Sequence, residues 1–291
     1  MYFTRAPQRL PTPSSLFRTI CPLAVLLIFL HIQSSLAETI YRSTDSHGHT
    51  LYSDIPTPAA KPLQKTIPST RSKYRVTRII DGDTIVLENN KRVRLLGINA
   101  PEIQNRYHPG EPGGADAKKW LQQKLQGRSV YLEHDRQTHD HYKRMLAHLY
   151  LPDGQHVNLS LVEKGLATVN LIPPNLLHAN TFIRAQQQAE TRKLGIWSMQ
   201  YYQPRSLARL TEKPFGWQRY RLKAKALKRN RRFSRLIISD NLDLSFANRD
   251  LALFPPLETY LNKPLEVRGW VSRRKNHFSI RIQHPSAIIL Y

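Results

Sequence analysis

Apolar residues in this chain gather in one block near the N-terminus and then recur in short runs. Residues 20–32 read Ile-Cys-Pro-Leu-Ala-Val-Leu-Leu-Ile-Phe-Leu-His-Ile, an almost unbroken apolar stretch. It is shorter than the roughly 20 residues of an ordinary transmembrane helix. Arg5, Arg9 and Arg18 precede it, no acid stands before Glu38, and Ser35-Leu36-Ala37 follows. A positive start, a short apolar core and small residues at the cut predict a secretory signal peptide cleaved between Ala37 and Glu38. The protein is then periplasmic or secreted. An uncleaved membrane anchor is the alternative, and it is the one route to membrane contact.

Past the leader the period becomes that of strands. Runs at 40–42 and 50–52 flank Asp45-Ser46-His47-Gly48, a hairpin pattern with turn residues at its centre. Pro58, Pro62 and Pro68 fall in 57–72 without apolar periodicity, which predicts a linker. From residue 73 strands are expected at 75–80, 84–87 and 92–98, separated by Asp81-Gly82-Asp83 and Asn89-Asn90-Lys91. Ala117, Trp120, Leu121 and Leu125 share one face of a helix over 115–126, stopped by Gly127. Strands at 130–133 and 146–151 and helices at 158–164 and 178–192 complete a pattern that suits a small β-barrel carrying helices. After about residue 204 strands return, at 236–240, 242–246, 261–271 and 278–288. The expected organisation is a hairpin domain at 38–56, a linker at 57–72, a barrel domain at 73–200 and a basic β-rich domain at 201–291.

Composition narrows the classes. With 44 Lys+Arg against 21 Asp+Glu, the 291 residues carry a formal charge of +23. An excess of that size points to an acidic partner: nucleic acid, anionic membrane or acidic polysaccharide. The charge is concentrated late, with 19 Lys+Arg against 6 Asp+Glu from Pro204 onward. The single cysteine, Cys21, excludes an intramolecular disulfide and a cysteine-rich zinc site. No stable protein partner is implied.

Candidate chemistry lies in 81–144. Asp83 opens a strand; Arg94, Asn99 and Glu102 follow along one strand and the turn that ends it; Arg144 precedes another. Phosphodiester hydrolysis uses these types. A hard cation takes oxygen ligands, a carboxylate activates water, and guanidiniums hold phosphate and stabilise the charge that develops on it.

The motifs Asp-Gly-Asp-Thr (81–84), Arg-Leu-Leu-Gly-Ile-Asn-Ala-Pro-Glu (94–102), Asp-His-Tyr-Lys-Arg (140–144), Leu-Val-Glu-Lys-Gly-Leu-Ala (161–167) and Leu-Gly-Ile-Trp (194–197) occur in one order and spacing. Over 73–197 the chain resembles the staphylococcal nuclease (thermonuclease) family. The resemblance implies a mainly β fold with α: a five-stranded OB-type barrel with three helices. It also implies Ca²⁺-dependent cleavage of DNA and RNA, with nucleic acid as substrate. Asp83 matches a calcium ligand and Ala100 one that offers its carbonyl. Glu102 matches the residue that activates water, and Arg94 and Arg144 the phosphate-binding arginines. Tyr142 matches a tyrosine near the terminal phosphate, and His141 beside it is read as a phosphate contact or a solvated side chain. Two departures stand out. Asn99 occupies the position of a second calcium-binding aspartate, which lowers the expected calcium affinity. Leu171 and Pro173 occupy positions of nucleotide-stacking tyrosines.

The segment at 38–56 resembles a small domain of unknown function in Gram-negative envelope proteins, through Ile40-Tyr41, Asp45, Gly48 and Tyr52-Ser53-Asp54 with Pro56. The runs Leu-Glu-Val-Arg-Gly-Trp-Val (265–271) and Ile-Arg-Ile-Gln-His-Pro-Ser-Ala-Ile (280–288) resemble small barrels appended to bacterial thermonuclease-like proteins, which implies a second, OB-like barrel. Trp217, Tyr220, Phe233 and Trp270 are read either as its core or as surfaces on which bases stack. The expected activity is that of an exported nuclease with little sequence preference. The alternative is a weakened or inactive envelope protein that binds nucleic acid or another polyanion.

Overall fold

A computed structural model describes residues 71–106, 109–206 and 216–291, together with the backbone of three short strands that precede them. The expected cleavage point at Ala37 and Glu38, the histidines His47 and His49, and Tyr107 and His108 lie outside the described residues. The early strands are β1 (Ile40–Thr44), β2 (Thr50–Ser53) and β3 (Lys61–Leu63). β1 and β2 pair antiparallel as the hairpin pattern requires. β3 adds to the other edge of β1, from a stretch that reads as linker. Among the described residues no helix is long and apolar enough to cross a membrane.

The next strands are β4 (Ser72–Ile79), β5 (Thr84–Leu87), β6 (Arg92–Leu95) and β7 (Ile98–Asn99), followed by helix α1 (Gly114–Leu125). Then come β8 (Ser129–Glu133), β9 (Met145–Tyr150), α2 (Val157–Glu163), β10 (Thr168–Val169) and α3 (Ala179–Thr191). Five of these strands close a barrel in the order β4-β5-β6-β9-β8. β4 serves two neighbours: its first half pairs with β8 and its second half with β5. Only β6 and β9 run parallel. Alternation along the strands turns Val76, Ile85, Val93, Leu132 and Leu149 inward, each fully buried. The apolar face of α1, Ala117, Leu121 and Leu125, seals this core.

The expected strand over 92–98 is broken in two. Gly97 has φ +77°, a conformation open to glycine, and a Cβ there would lie 2.7 Å from the Phe182 ring of α3. The turn this permits redirects the chain, so Ile98 and Asn99 pair with β10 and leave the barrel ladder. A straight continuation of β6 would carry Asn99 away from the site.

The chain then forms β11 (Arg205–Ser206), β12 (Trp217–Lys223), β13 (Ala226–Arg229), β14 (Phe233–Ser239) and β15 (Leu242–Ala247). β16 (Pro264–Arg274), β17 (His277–Ile282) and β18 (Ile288–Leu290) follow. Apart from β11 and β18, which add to β12 and β16, the sheet runs β12-β16-β17-β15-β14-β13. Its two end strands are consecutive halves of one stretch, bent at Ala224 and Lys225, so the sheet closes on itself through the chain. The pairing types repeat those of the first barrel. One bent strand serves two neighbours, one pair (β15 with β17) is parallel, and the remaining pairs are antiparallel. A second OB-type strand order therefore follows the first, with Leu236, Leu244, Phe246, Val267 and Ile280 at its centre.

The two barrels share a joint. Ala189, Ile196, Trp197, Tyr202 and Trp217 form one apolar cluster across it. Beside the cluster the Arg268 guanidinium donates to both Glu190 oxygens at 2.6 and 2.8 Å and to Glu266 at 2.7 Å. Arg219 grips Glu266 with two bonds of 2.7 and 2.9 Å.

Candidate active site

The site is built where the β4–β5 turn meets the chain leaving β6. Gly82 lets the turn lie against α1, because a Cβ there would sit 2.5 Å from the Ala100 Cβ and 2.7 Å from that of Ala117. The Asp83 N–H donates to Asp81 Oδ1 at 3.0 Å, which spends Asp81 on shaping the turn. Asp83 itself is buried. Its Oδ2 accepts from the Ala100 N–H at 2.8 Å and pairs with Arg94 Nη2 at 2.9 Å, while Oδ1 accepts from the Thr84 hydroxyl. Burial pushes the Asp83 carboxyl above the ordinary carboxylate range; Arg94 pulls against this and Asp81 adds to it.

Arg94 is clamped. Its Nη1 donates to the Leu95 and Ile98 carbonyls, both at 3.0 Å, and its Nη2 also donates to Asn99 Oδ1 at 3.1 Å. Asn99 Nδ2 donates to the Ala100 carbonyl at 3.0 Å, and the Asn99 carbonyl accepts from the Thr168 hydroxyl. Asp83, Arg94, Asn99 and Ala100 thus form one bonded cluster. The fold brings these four residues together across 17 positions of sequence.

Glu102 follows two residues on, held by its backbone. Its N–H donates to Glu111 Oε2 at 2.8 Å, and its carbonyl accepts from the Glu111 N–H at 2.7 Å. Glu111 is only 6% exposed, and its other oxygen accepts from the Trp217 N–H at 2.7 Å. This carboxylate therefore ties the Glu102 turn to the first strand of the second barrel. Nothing in the local sequence marks Glu111 for this, since its second partner lies 106 positions away; the cluster Gly110-Glu111-Pro112-Gly113-Gly114 is the one hint. The Glu111 carboxylate in this glycine-rich stretch is buried and bonded at both oxygens.

Arg144 belongs to a neighbouring group. Its Nε donates to Asp140 Oδ2 at 2.7 Å, and its N–H to Asp140 Oδ1 at 2.9 Å. Among the described residues the terminal nitrogens have no hydrogen-bond partner, and Arg144 lines a cleft of about 340 Å³ with Lys91, Arg92, Tyr142 and Lys143. Tyr142 stands 70% exposed at its rim, with the His141 ring 3.8 Å from it. β9 follows Arg144 and lies beside β6, with Leu146 opposite Arg94. No hydrogen bond joins the Arg144 side chain to Asp83, Arg94 or Glu102 among the described residues. The position of the expected stacking residues is as the departures imply: Leu171 is 3% exposed and presents no ring.

Donor types at the first cluster fit a hard cation: the Asp83 carboxylate, the Asn99 amide oxygen and the Ala100 carbonyl. A buried carboxylate whose ionisation is opposed by burial and by Asp81 is also a place where positive charge is favoured. The set is one carboxylate short, and among the described residues no three His, Cys, Asp or Glu side chains form a group able to hold a metal.

Comparison with known proteins places the chain beside nucleases. Residues 92–199 match the family described as staphylococcal nuclease homologue, and residues 26–75 match DUF4124, a domain of unknown function. The chain is 36% identical over 140 residues to a thermonuclease of Staphylococcus intermedius, covering 47% of this chain and 83% of that protein. It is 34% identical over 128 residues to the thermonuclease of Staphylococcus hyicus, covering 43% and 75%. Against the endonuclease YncB of Bacillus subtilis it is 33% identical over 178 residues, covering 59% and 82%.

Proposed function

The chain belongs to the staphylococcal nuclease family, and we propose that it is an exported nuclease that hydrolyses DNA and RNA phosphodiesters with little sequence preference. The observation that carries the reading is the bonded cluster of Asp83, Arg94, Asn99 and Ala100 with Glu102 fixed two residues beyond it. The leader of basic residues and apolar run supports export.

In this reading a phosphodiester lies between the Glu102 turn and the Arg144 cleft. Glu102 accepts the proton of a water whose oxygen attacks phosphorus in line. The bond to the leaving ester oxygen breaks as the new P–O bond forms, and that oxygen leaves with a proton from solvent. Arg144 offers its two terminal nitrogens to the non-bridging oxygens, because Asp140 takes only Nε. Arg94 has both terminal nitrogens bonded, so it holds the Asp83 and Asn99 oxygens in place and presents Nε–H. Asp83, Asn99 Oδ1 and the Ala100 carbonyl are the groups that would hold Ca²⁺. When bound, that ion adds positive charge against the developing phosphate charge. Asn99 makes the site one negative charge weaker than an aspartate there.

The test is cleavage of single-stranded DNA by the purified protein with and without calcium. Glu102→Gln is expected to lower the rate by about 10²- to 10⁴-fold, with folding unchanged by circular dichroism. Asn99→Asp is expected to reach half-maximal rate at lower calcium. Cleavage that persists undiminished in Glu102→Gln overturns the assignment of the site. Binding without cleavage at every calcium concentration favours the polyanion-binding alternative.

A further inference from the structure

The site does not end at the first barrel. Arg94 donates to the Ile98 carbonyl, Ile98 pairs with Val169, and the Asn170 N–H donates to the Gly97 carbonyl at 2.9 Å. The chain from Val169 to Leu171 therefore leaves the site's own strand directly. It forms one wall of a cleft whose other wall is second-barrel surface, including Gly269, Trp270, Arg281 and His284.

Two side chains on that second wall are not used by the fold. Trp270 is 40% exposed, whereas Trp217, opposite it in the ladder, is buried in the joint. Arg281 is exposed on β17 and makes no ion pair or hydrogen bond among the described residues. Arg268, two positions from Trp270, shows the contrast: it is buried and committed to Glu190 and Glu266. The first-barrel wall, Val169-Asn170-Leu171, has no aromatic ring. An exposed indole beside an unpaired guanidinium, in a cleft whose first-barrel wall includes Val169, the ladder partner of Ile98, matches the chemistry of a nucleotide in a single strand. A ring accepts the base, and a cation accepts its phosphate.

We propose that Trp270 and Arg281 form a subsite on the second barrel for one nucleotide of a single-stranded substrate, with the base on the Trp270 indole and the phosphate on Arg281. The inference rests on the nuclease reading. The test uses the full chain carrying Glu102→Gln, so that the strand survives the measurement. Affinity is measured by fluorescence anisotropy for a 12-nucleotide oligo-dT and for an abasic strand of the same length. Trp270→Ala is expected to weaken oligo-dT binding about tenfold, the scale of one lost base stack, and to leave abasic binding unchanged. Trp270→Leu should behave as Trp270→Ala, and Trp270→Phe should retain most of the affinity, which separates loss of a π face from loss of folding. Arg281→Ala should weaken both strands and flatten their salt dependence. If Trp270→Ala and Trp270→Leu bind oligo-dT as tightly as the parent, the inference is overturned. If that occurs while the wild type still cuts DNA, the nuclease reading stands without it. If the wild type neither binds nor cuts either strand, both fall.

Discussion

The two barrels repeat one strand order and differ in what they place at the same points of it. In the first, the Leu95 N–H donates to the Asp83 carbonyl at 2.9 Å where the first turn meets the end of the third strand. In the second, the Asn248 N–H donates to the Arg232 carbonyl at 3.0 Å at the equivalent point. Arg232 thus stands where Asp83 stands, and the turn Asp81-Gly82-Asp83 is replaced by Asn230-Arg231-Arg232. In the ladder, Thr84 faces Arg94 in one barrel and Phe233 faces Ala247 in the other. The same backbone scaffold carries carboxylates and a clamped arginine in one copy, and exposed cations in the other. Fold alone does not assign chemistry; the side chains grafted at the turns do. The proposed reading accordingly assigns hydrolysis to the first barrel and the holding of a polyanion to the second.

This contrast can be broken at the joint. Arg268 is 7% exposed and binds carboxylates from both barrels, Glu190 and Glu266. Without Arg268, Glu190 keeps Arg219 at 3.7 Å and Glu266 keeps Arg219 and the Tyr291 hydroxyl, so the cost falls below the roughly 3–5 kcal/mol of a fully stranded buried charge. Arg268→Ala is therefore expected to lower chemical-denaturation stability by about 1–3 kcal/mol, with both barrels losing protection together. Two separate transitions in wild-type protein would show that the barrels do not act as one cooperative unit.

Acid should sharpen the contrast, because the buried histidine cluster lies in the first barrel. The rings of His148, His156 and His178 lie 5.0–5.2 Å apart. Burial first, then neighbouring histidines, hold His148 well below the ordinary imidazole value of 6.5 and bring His156 to about 3. Burial pushes the Glu133 carboxyl up, but hydrogen bonds from His178 and Tyr150 win and bring it to about 2. All three groups take up protons more readily in the unfolded chain. Their contribution is complete above about pH 6.5, declines as the histidines' unfolded value is passed, and declines further below 4.5. Hydrogen exchange at pH 5 and 7.5 should show first-barrel amides losing protection at the lower pH. His156→Leu should reduce that loss. A loss of the same size in His156→Leu as in the parent contradicts this assignment.

The smallest expected effect is in salt dependence. Arg231→Ala with Arg232→Ala removes two cations from the basic turn. Each phosphate contact contributes about 0.7 to the slope of log affinity against log salt for a single strand. The double variant should flatten that slope by up to about 1.4 and leave calcium dependence of cleavage unchanged.

Much of the first barrel is legible in sequence because its signals are local. The strand runs, Gly127 as a helix stop and the ordered motifs at 81–84, 94–102 and 140–144 lie within short windows, and the helices fall within a residue of expectation. The break at Gly97 is less legible, since its cause is the Phe182 ring, 85 positions on. Glu111 is not legible, because its meaning comes from Trp217. Trp217 is buried in the joint and Tyr220 in the second core, whereas Trp270, on the same sheet face as its ladder partner Trp217, is exposed; the division is made by what packs over each position, which local sequence does not carry. The composition of 201–291 carries its charge but not the closing of β12 and β13 into one bent strand, which depends on pairing with β16 and β14.

The most direct test of the division of labour measures cleavage rate and oligo-dT affinity side by side for Glu102→Gln and for Trp270→Ala with Arg281→Ala. The account predicts that Glu102→Gln loses the rate and keeps the affinity, and that the second-barrel variant raises KM with kcat near the wild-type value. Loss of kcat without a change in KM in the second-barrel variant, or an unchanged rate in Glu102→Gln, would contradict it.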